Sequence, residues 1–131
     1  MSEQGQIVRR SIGIVFDDGG LLALTSHTPP GAEGHGDEEV TAVLCDPDGA
    51  PLTFEESLLS TEYGEDGVQR RATLELWPEV EEMRPLRGAG TLINSVCVRR
   101  QGVDSRIAFF RWSVEGRGGL GTYEVARSAD E

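Results

Sequence analysis

Hydrophobic and polar residues alternate along most of this chain with the period of two that is typical of β-strands. In the run 69–77 the apolar residues Ala72, Leu74 and Leu76 fall on one face, and the residues between them are polar or charged. No window of three or more turns keeps an apolar stripe with the 3.6-residue period of a helix. The pattern therefore predicts an all-β protein with almost no helix.

Clusters of turn residues divide the chain into nine runs of this kind. Asp17-Asp18-Gly19-Gly20 and Gly64-Glu65-Asp66-Gly67 supply the positive φ angles and short polar side chains of tight hairpins. The predicted strands are 6–16, 21–26, 40–45, 52–60, 69–77, 80–86, 91–99, 105–112 and 120–127. Strands that follow one another at intervals of about 8 to 15 residues are typical of an antiparallel up-and-down meander.

The chain length of 131 residues predicts one domain, 1–131. Two prolines and three glycines lie between residues 27 and 38, a composition that interrupts a strand ladder. We therefore expect residues 27–38 to form a mobile loop and residues 128–131 to form a frayed tail.

The charge balance restricts the partners. Twelve basic residues, all arginine, against 23 acidic residues give a formal charge of −11, which repels nucleic acid and anionic membrane surfaces. No apolar run approaches the roughly 20 residues of a membrane span. Cys45 and Cys97 lie in apolar stretches, and no basic-then-apolar leader follows Met1. We expect a cytoplasmic protein with two buried free thiols, although the sequence leaves open a single disulfide between them.

The run 105–112 differs from the others because both of its faces carry large apolar groups. Ile107 and Phe109 lie on one face, whereas Ala108, Phe110 and Trp112 lie on the other. One face is expected to line a barrel interior. The second face requires a covering loop or a second subunit, which predicts a homodimer.

Three segments resemble a known family. They are 15–20 (Val-Phe-Asp-Asp-Gly-Gly), 84–87 (Arg-Pro-Leu-Arg) and, above all, Phe110-Arg111-Trp112 followed by residues 116–124. These segments are similar to the early hairpin, the approach to the last strands, and the arginine–tryptophan strand with its glycine-rich hairpin and closing glutamate in the lipocalin-like AttH family. Its relatives include carotenoid hydratases and some fungal pericyclases. The family is built from two related β-rich modules, and this chain resembles one of them.

The resemblance implies a lipocalin-like barrel of eight or nine strands that accepts an apolar small molecule such as an isoprenoid or a polyketide. Leu120 stands where the family usually has an aromatic residue, and the companion module is missing. No catalytic motif of the hydratases has a counterpart here. No helix follows the glycine run 116–121, so we interpret that run as a hairpin turn and not as a dinucleotide site.

Glu124 and Arg111 are the candidate catalytic residues. Glu124 lies near the end of the last predicted strand beside Tyr123, and we expect it to lie close to Arg111 across the hairpin. Burial against aromatic rings would favour a protonated acid able to act in general acid–base catalysis, whereas contact with Arg111 would make the pair structural. If Tyr123 and Val125 face inward, alternation places Glu124 outside.

The aromatic residues are the candidate ligand-binding groups. Those predicted to line the barrel are Phe16, Trp77, Phe110, Trp112 and Tyr123. An eight-stranded barrel is just wide enough to be filled by such side chains or to hold one small ligand. His27 and His35 with nearby carboxylates have no spacing that fixes a metal geometry, so we predict neither a metal site nor a cofactor.

The sequence thus predicts a barrel that binds an apolar or amphipathic metabolite and promotes its cyclisation, isomerisation or hydration by holding it in a reactive shape. A non-catalytic ligand carrier and a structural β-domain acting through a dimer interface are the alternatives.

Overall fold

The computed structural model describes residues 7–27, 39–80 and 82–128. Its strands are Ile7–Phe16 (β1), Leu21–His27 (β2), Glu39–Cys45 (β3), Leu52–Tyr63 (β4), Gln69–Pro78 (β5), Leu86–Arg100 (β6), Val103–Val114 (β7) and Arg117–Ser128 (β8). Each strand pairs antiparallel with the next, and β8 pairs with β1. The predicted fold class is confirmed: the chain forms an up-and-down closed barrel, consistent with a lipocalin-like barrel.

The barrel has eight strands because the predicted strand 80–86 does not form. The described residues of this segment form no ladder: the Met83 N–H donates to the Val80 carbonyl (3.1 Å), and both side chains are exposed. Pro85 lacks the N–H that a ladder needs. The next strand instead begins at Leu86 and runs without interruption to Arg100.

Three other predicted boundaries differ from the structure. Most of the glycine run 116–121 lies in β8, and only Glu115 and Gly116, both with positive φ, form the turn. His27 ends β2, and Ser128 ends β8. The rest of the predicted loop 27–38 and of the predicted tail 128–131 lies outside the described residues.

Alternate residues of every strand point into the barrel and form one apolar core. The predicted apolar face of β5 is confirmed, since Ala72, Leu74 and Leu76 are buried, and Ile12, Ile14 and Phe16 form the corresponding buried face of β1. The most deeply buried side chains are Trp112, Tyr123, Phe110, Ile14, Leu22, Leu24, Leu76, Gln69, Val125 and Ser26.

Glycines flank the inward-facing aromatic rings of β7, and Gly90 makes room for them. Trp112 is flanked in register by Gly90 on β6 and Gly119 on β8, and Phe110 is flanked by Gly121. A Cβ atom at Gly90 would lie 2.6 Å from the Trp112 ring. Gly90 therefore lets the Trp112 side chain lie over β6, whereas a Cβ atom at Gly119 or Gly121 would meet the backbone of β1.

Candidate functional site

The barrel wall is weakest between β3 and β4. These strands share only two residue pairs, Val43 with Thr53 and Leu44 with Leu52, whereas β6 and β7 share twelve. Beyond Thr53, β4 has no partner on this side among the described strands. Among the described residues, segments 39–42 of β3 and 54–63 of β4 share no residue pair, and we call this unpaired stretch of the β3–β4 boundary the seam.

Arg10 lies on the inner face of β1 and reaches across the barrel to the seam. Its Nε donates to Ser26 Oγ on β2 (3.3 Å), and its guanidinium also donates to the main-chain carbonyl of Leu59 on β4 (3.4 Å). Arg10 thus joins β1 to β4, two strands that are not neighbours in the barrel.

Tyr123 of β8 also spans the interior to β4. Its hydroxyl is hydrogen-bonded to the hydroxyl of Thr61, and the tyrosine is fully buried. Burial raises the pKa of Tyr123 well above its ordinary value, and the nearby Tyr63 adds to the rise. Hydrogen bonds from Thr61 and Arg10 offset only part of it. The hydroxyl is therefore neutral and can donate or accept a hydrogen bond.

Arg10, Ser26, Thr61 and Tyr123, with the Leu59 carbonyl, form what we call the seam cluster. One side of the cluster faces the seam, and the other adjoins the aromatic core. The rings of Tyr123 and Phe110 meet edge to face at 5.8 Å, and those of Phe110 and Trp112 lie 5.2 Å apart. A polar end next to an apolar interior is the arrangement that an amphipathic molecule requires.

Within the described part of the chain, three buried side-chain polar atoms have no hydrogen-bond partner. They are Ser57 Oγ, Trp112 Nε1 and Gln69 Oε1. Ser57 and Trp112 face inward, as their register with Leu76 and Gly90 shows. The Gln69 amide nitrogen donates to the carbonyls of Arg106 and Tyr123 and so ties the β4–β5 turn to β7 and β8. The interior thus offers a hydroxyl and an indole N–H that a polar ligand atom could satisfy.

The structure separates the predicted ligand-binding residues into two groups. Phe16, Phe110, Trp112 and Tyr123 are buried in the core, as expected. Trp77 is half-buried on the outer face, because Leu76 on one side of it points inward. The prediction that Trp77 lines the interior is therefore wrong.

The predicted contact between Glu124 and Arg111 does not form. Glu124 lies on the outer face of β8, between inward-facing Tyr123 and Val125, and accepts a hydrogen bond from Arg9 (3.4 Å). Arg111 lies opposite Leu120, four residues along the strand from Glu124. Neither Glu124 nor Arg111 faces the interior. The alternative prediction, that alternation places Glu124 on the outer face, is therefore confirmed.

Arg111 instead borders a depression on the outer surface. This depression has a volume of about 490 Å³ and is also lined by Asp17, Thr91 and Leu120. An adjoining outer depression of about 570 Å³ lies over β4 to β7. Both are shallow and open to solvent, and they provide an alternative location for a ligand that experiments can separate from the seam.

Among the described residues no group of three metal-type ligands converges. His35 and its neighbouring carboxylates lie outside the described residues. Cys45 and Cys97 are both free, and Cys97 is exposed, so the prediction of two buried thiols is wrong for Cys97. Its Sγ donates to Asp104 Oδ1 (3.3 Å).

Sequence reasoning missed the seam cluster, although one signal was present. Arg10 and Ser26 are polar residues at inward positions of otherwise apolar faces, where Ile12 and Ile14 follow the first and Leu22 and Leu24 precede the second. A polar side chain that breaks an apolar face in this way indicates a buried partner or a site.

Comparisons with protein-family models, curated protein sequences and solved structures find no match to this chain. The described residues also contain no helix long and apolar enough to cross a membrane.

Proposed function

We propose that this protein binds an apolar or amphipathic small molecule inside its barrel, with the polar end of the molecule held by the seam cluster. The observation that carries the proposal is the coincidence of two features. The ladder between β3 and β4 is only two residue pairs long, and the hydrogen-bonded groups of the seam cluster, Arg10, Ser26, Thr61 and Tyr123, lie against β4 on the inner side of that boundary.

The seam is the route of entry in this proposal. Separating β3 from β4 breaks a ladder of two residue pairs, whereas separating β6 from β7 breaks a ladder of twelve. Local opening follows the path that disrupts the fewest hydrogen bonds and buried contacts. Arg10 must also leave the Leu59 carbonyl, and a ligand oxygen that replaces that carbonyl compensates for the lost bond.

The chemistry of the cluster defines the ligand class. Arginine is permanently charged and donates to oxygen acceptors, while Tyr123 supplies a neutral hydroxyl. These groups fit a carboxylate, a phosphate or a carbonyl at the end of an apolar chain. The net charge of −11 opposes an anion in solution, so a carboxylate gains mainly from its local contact with Arg10.

We extend the proposal to isoprenoid or polyketide metabolites because of the AttH-like resemblance of residues 110–112 and 116–124. In that form the barrel folds a flexible chain and promotes its cyclisation, isomerisation or hydration, a role that needs shape and one or two polar groups. Tyr123 is the interior hydroxyl suited to contact the reacting polar end. A carrier that binds the same molecule without changing it is the alternative, and a cytoplasmic location with no nucleic-acid partner belongs to both versions.

A matched pair of isoprenoid probes, farnesoic acid and farnesol, tests the binding proposal. We expect both to raise the melting temperature, since a ligand that binds only the folded state stabilises it. Arg10→Gln removes a charge-assisted hydrogen bond and should weaken the acid by about 10- to 100-fold while farnesol changes little. Arg111→Gln, the control on the outer depression, should change neither affinity.

Failure of both probes to stabilise the unmodified protein would refute the proposal. A loss of acid binding in Arg111→Gln but not in Arg10→Gln would move the site to the outer depression. Chromatography of farnesoic acid recovered after incubation separates the two versions, since an enzyme yields an isomer, a cyclic product or a hydrate and a carrier returns the acid unchanged.

A further inference from the structure

Among the described residues, the C-terminal part of β6 has a neighbouring strand on one side only. The pairing of β5 with β6 ends at Arg71 and Thr91, yet β6 continues to Arg100. Residues 96–100 are exposed on both faces, and within the described ranges their second neighbouring strand is missing. The geometry points to self-association: two copies of this chain pair their β6 edges antiparallel about a two-fold axis at Cys97.

The backbone groups needed for this pairing point outward. Gln101 and Gly102 form a two-residue turn with φ of 52° and 80°, in which the flanking residues Arg100 and Val103 exchange their hydrogen bonds. Alternate residues of β6 therefore bond to β7, and those between them direct their N–H and C=O to the open edge. The Ser95 N–H donates to the side-chain Oδ1 of the preceding residue, Asn94 (2.8 Å), and so this N–H points to the open edge.

The sequence around Cys97 is self-complementary. Antiparallel pairing centred on Cys97 places Val96 opposite the partner's Val98 and Ser95 opposite the partner's Arg99. The Arg99 side chains of the two copies therefore lie at opposite ends of the paired segment and do not face each other. Because an isologous interface must match its own surface, this arrangement satisfies the main requirement of a two-fold dimer.

The outer face of the pairing is apolar. Val96 and Val98 are 48% and 39% exposed, and Val103 on β7 is exposed beside them. A second copy would bring four β6 valines together across the axis and withdraw them from water. An edge left unpaired would otherwise be prone to uncontrolled pairing, and its charged residues, Arg99 and Arg100, lie only at one end of the segment. The dimer thus accounts for an edge that shows none of the usual protective charges at its centre.

The first test measures the mass of the protein in solution by analytical ultracentrifugation over a range of concentrations. We expect a species of twice the 14.2 kDa chain mass, favoured by added salt because each copy carries a net charge of −11. The double variant Val96→Lys and Val98→Lys should be monomeric. The matched control, Val15→Lys and Leu120→Lys, replaces residues that are 60% and 53% exposed on another part of the outer face, and it should remain dimeric.

The second test needs no change to the interface. Residues that face each other in a hydrogen-bonded antiparallel pair have Cα atoms about 5.5 Å apart, within the range of a disulfide. Diamide should therefore oxidise the two Cys97 thiols to one intermolecular disulfide. The two protons and two electrons pass to the diazene, which becomes a hydrazine. Cys97→Ala should abolish this covalent dimer, and Cys45→Ala should retain it.

A monomer at all concentrations would overturn the inference, as would a dimer that survives the β6 lysines or one that is lost in the control. A dimer that diamide does not link through Cys97 would overturn the register. These outcomes leave the proposed ligand site untouched, because that site lies behind the seam between β3 and β4.

Discussion

The hydrogen bond between Tyr123 and Thr61 gives the most direct energetic test of the seam cluster. It joins β8 to β4 across the interior, where no ladder connects them. Tyr123→Phe removes the hydroxyl with little change in volume, and Thr61→Val removes its partner. The two variants and the double variant form a double-mutant cycle that isolates the coupling between the residues.

The expected magnitudes follow from burial. Tyr123 is fully buried and also interacts with Arg10, so Tyr123→Phe leaves polar partners unsatisfied and should lower the free energy of unfolding by about 2 kcal/mol. Thr61 is half-buried and should lose about 1 kcal/mol. Because both changes break one shared bond, the double variant should lose about 1 kcal/mol less than the sum.

Urea unfolding followed by tryptophan fluorescence measures these values. Additive losses would refute a bond across the interior. A pH series adds a second readout, because the pKa of Tyr123 is raised in the folded state from its ordinary 10.0. Above pH 10 the unfolded chain releases this proton while the folded chain keeps it, so stability falls as the pH rises. Tyr123→Phe should lose less stability over that alkaline range.

Two further predictions concern packing and charge. Gly121→Ala should lower the free energy of unfolding by several kcal/mol, because the new Cβ atom would overlap the Gly13 carbonyl oxygen. In the control Gly13→Ala the new Cβ atom meets no atom within 4 Å, so stability should change by less than about 1 kcal/mol. Equal shifts of the melting temperature in the two variants would contradict this interpretation of β8. The Arg106 hydrogen bond lowers the pKa of Asp104 from 3.8 to about 2. Its stabilisation is therefore complete above pH 3.8 and lost as the pH falls through 2, so the difference in stability between the unmodified protein and Asp104→Asn should shrink over that interval in acid unfolding.

Local patterning was sufficient to predict an all-β antiparallel meander. Alternation identified the apolar face of β5, since a half-buried strand must place its apolar residues on one side. The same logic failed at 80–86, where Val80 and Met83 resemble strand residues but Pro85 interrupts the ladder. It also misread the glycines of 118–121 as a turn, whereas Gly119 and Gly121 lie within β8 where the β1 backbone approaches too closely for a Cβ atom.

The candidate site depends on register and closure, which alternation does not determine. Glu124 pairs with Ile107, and Arg111 pairs with Leu120, so the expected ion pair required a register shifted by four residues. Arg10 of β1 meets Leu59 of β4, although these strands are not neighbours in the barrel. That contact has no marker in the local sequence, and the polar Arg10 on an apolar face was the one available signal.

In the proposed function, the polar end of the ligand lies at the seam cluster. An NMR titration of isotope-labelled protein with farnesoic acid tests this directly. We predict saturable shifts at Arg10, Thr61 and Tyr123 and along the edges of β3 and β4, with little change on the outer face around Arg111. Shifts confined to that outer face, or none at concentrations that saturate an amphipathic site, would contradict the account.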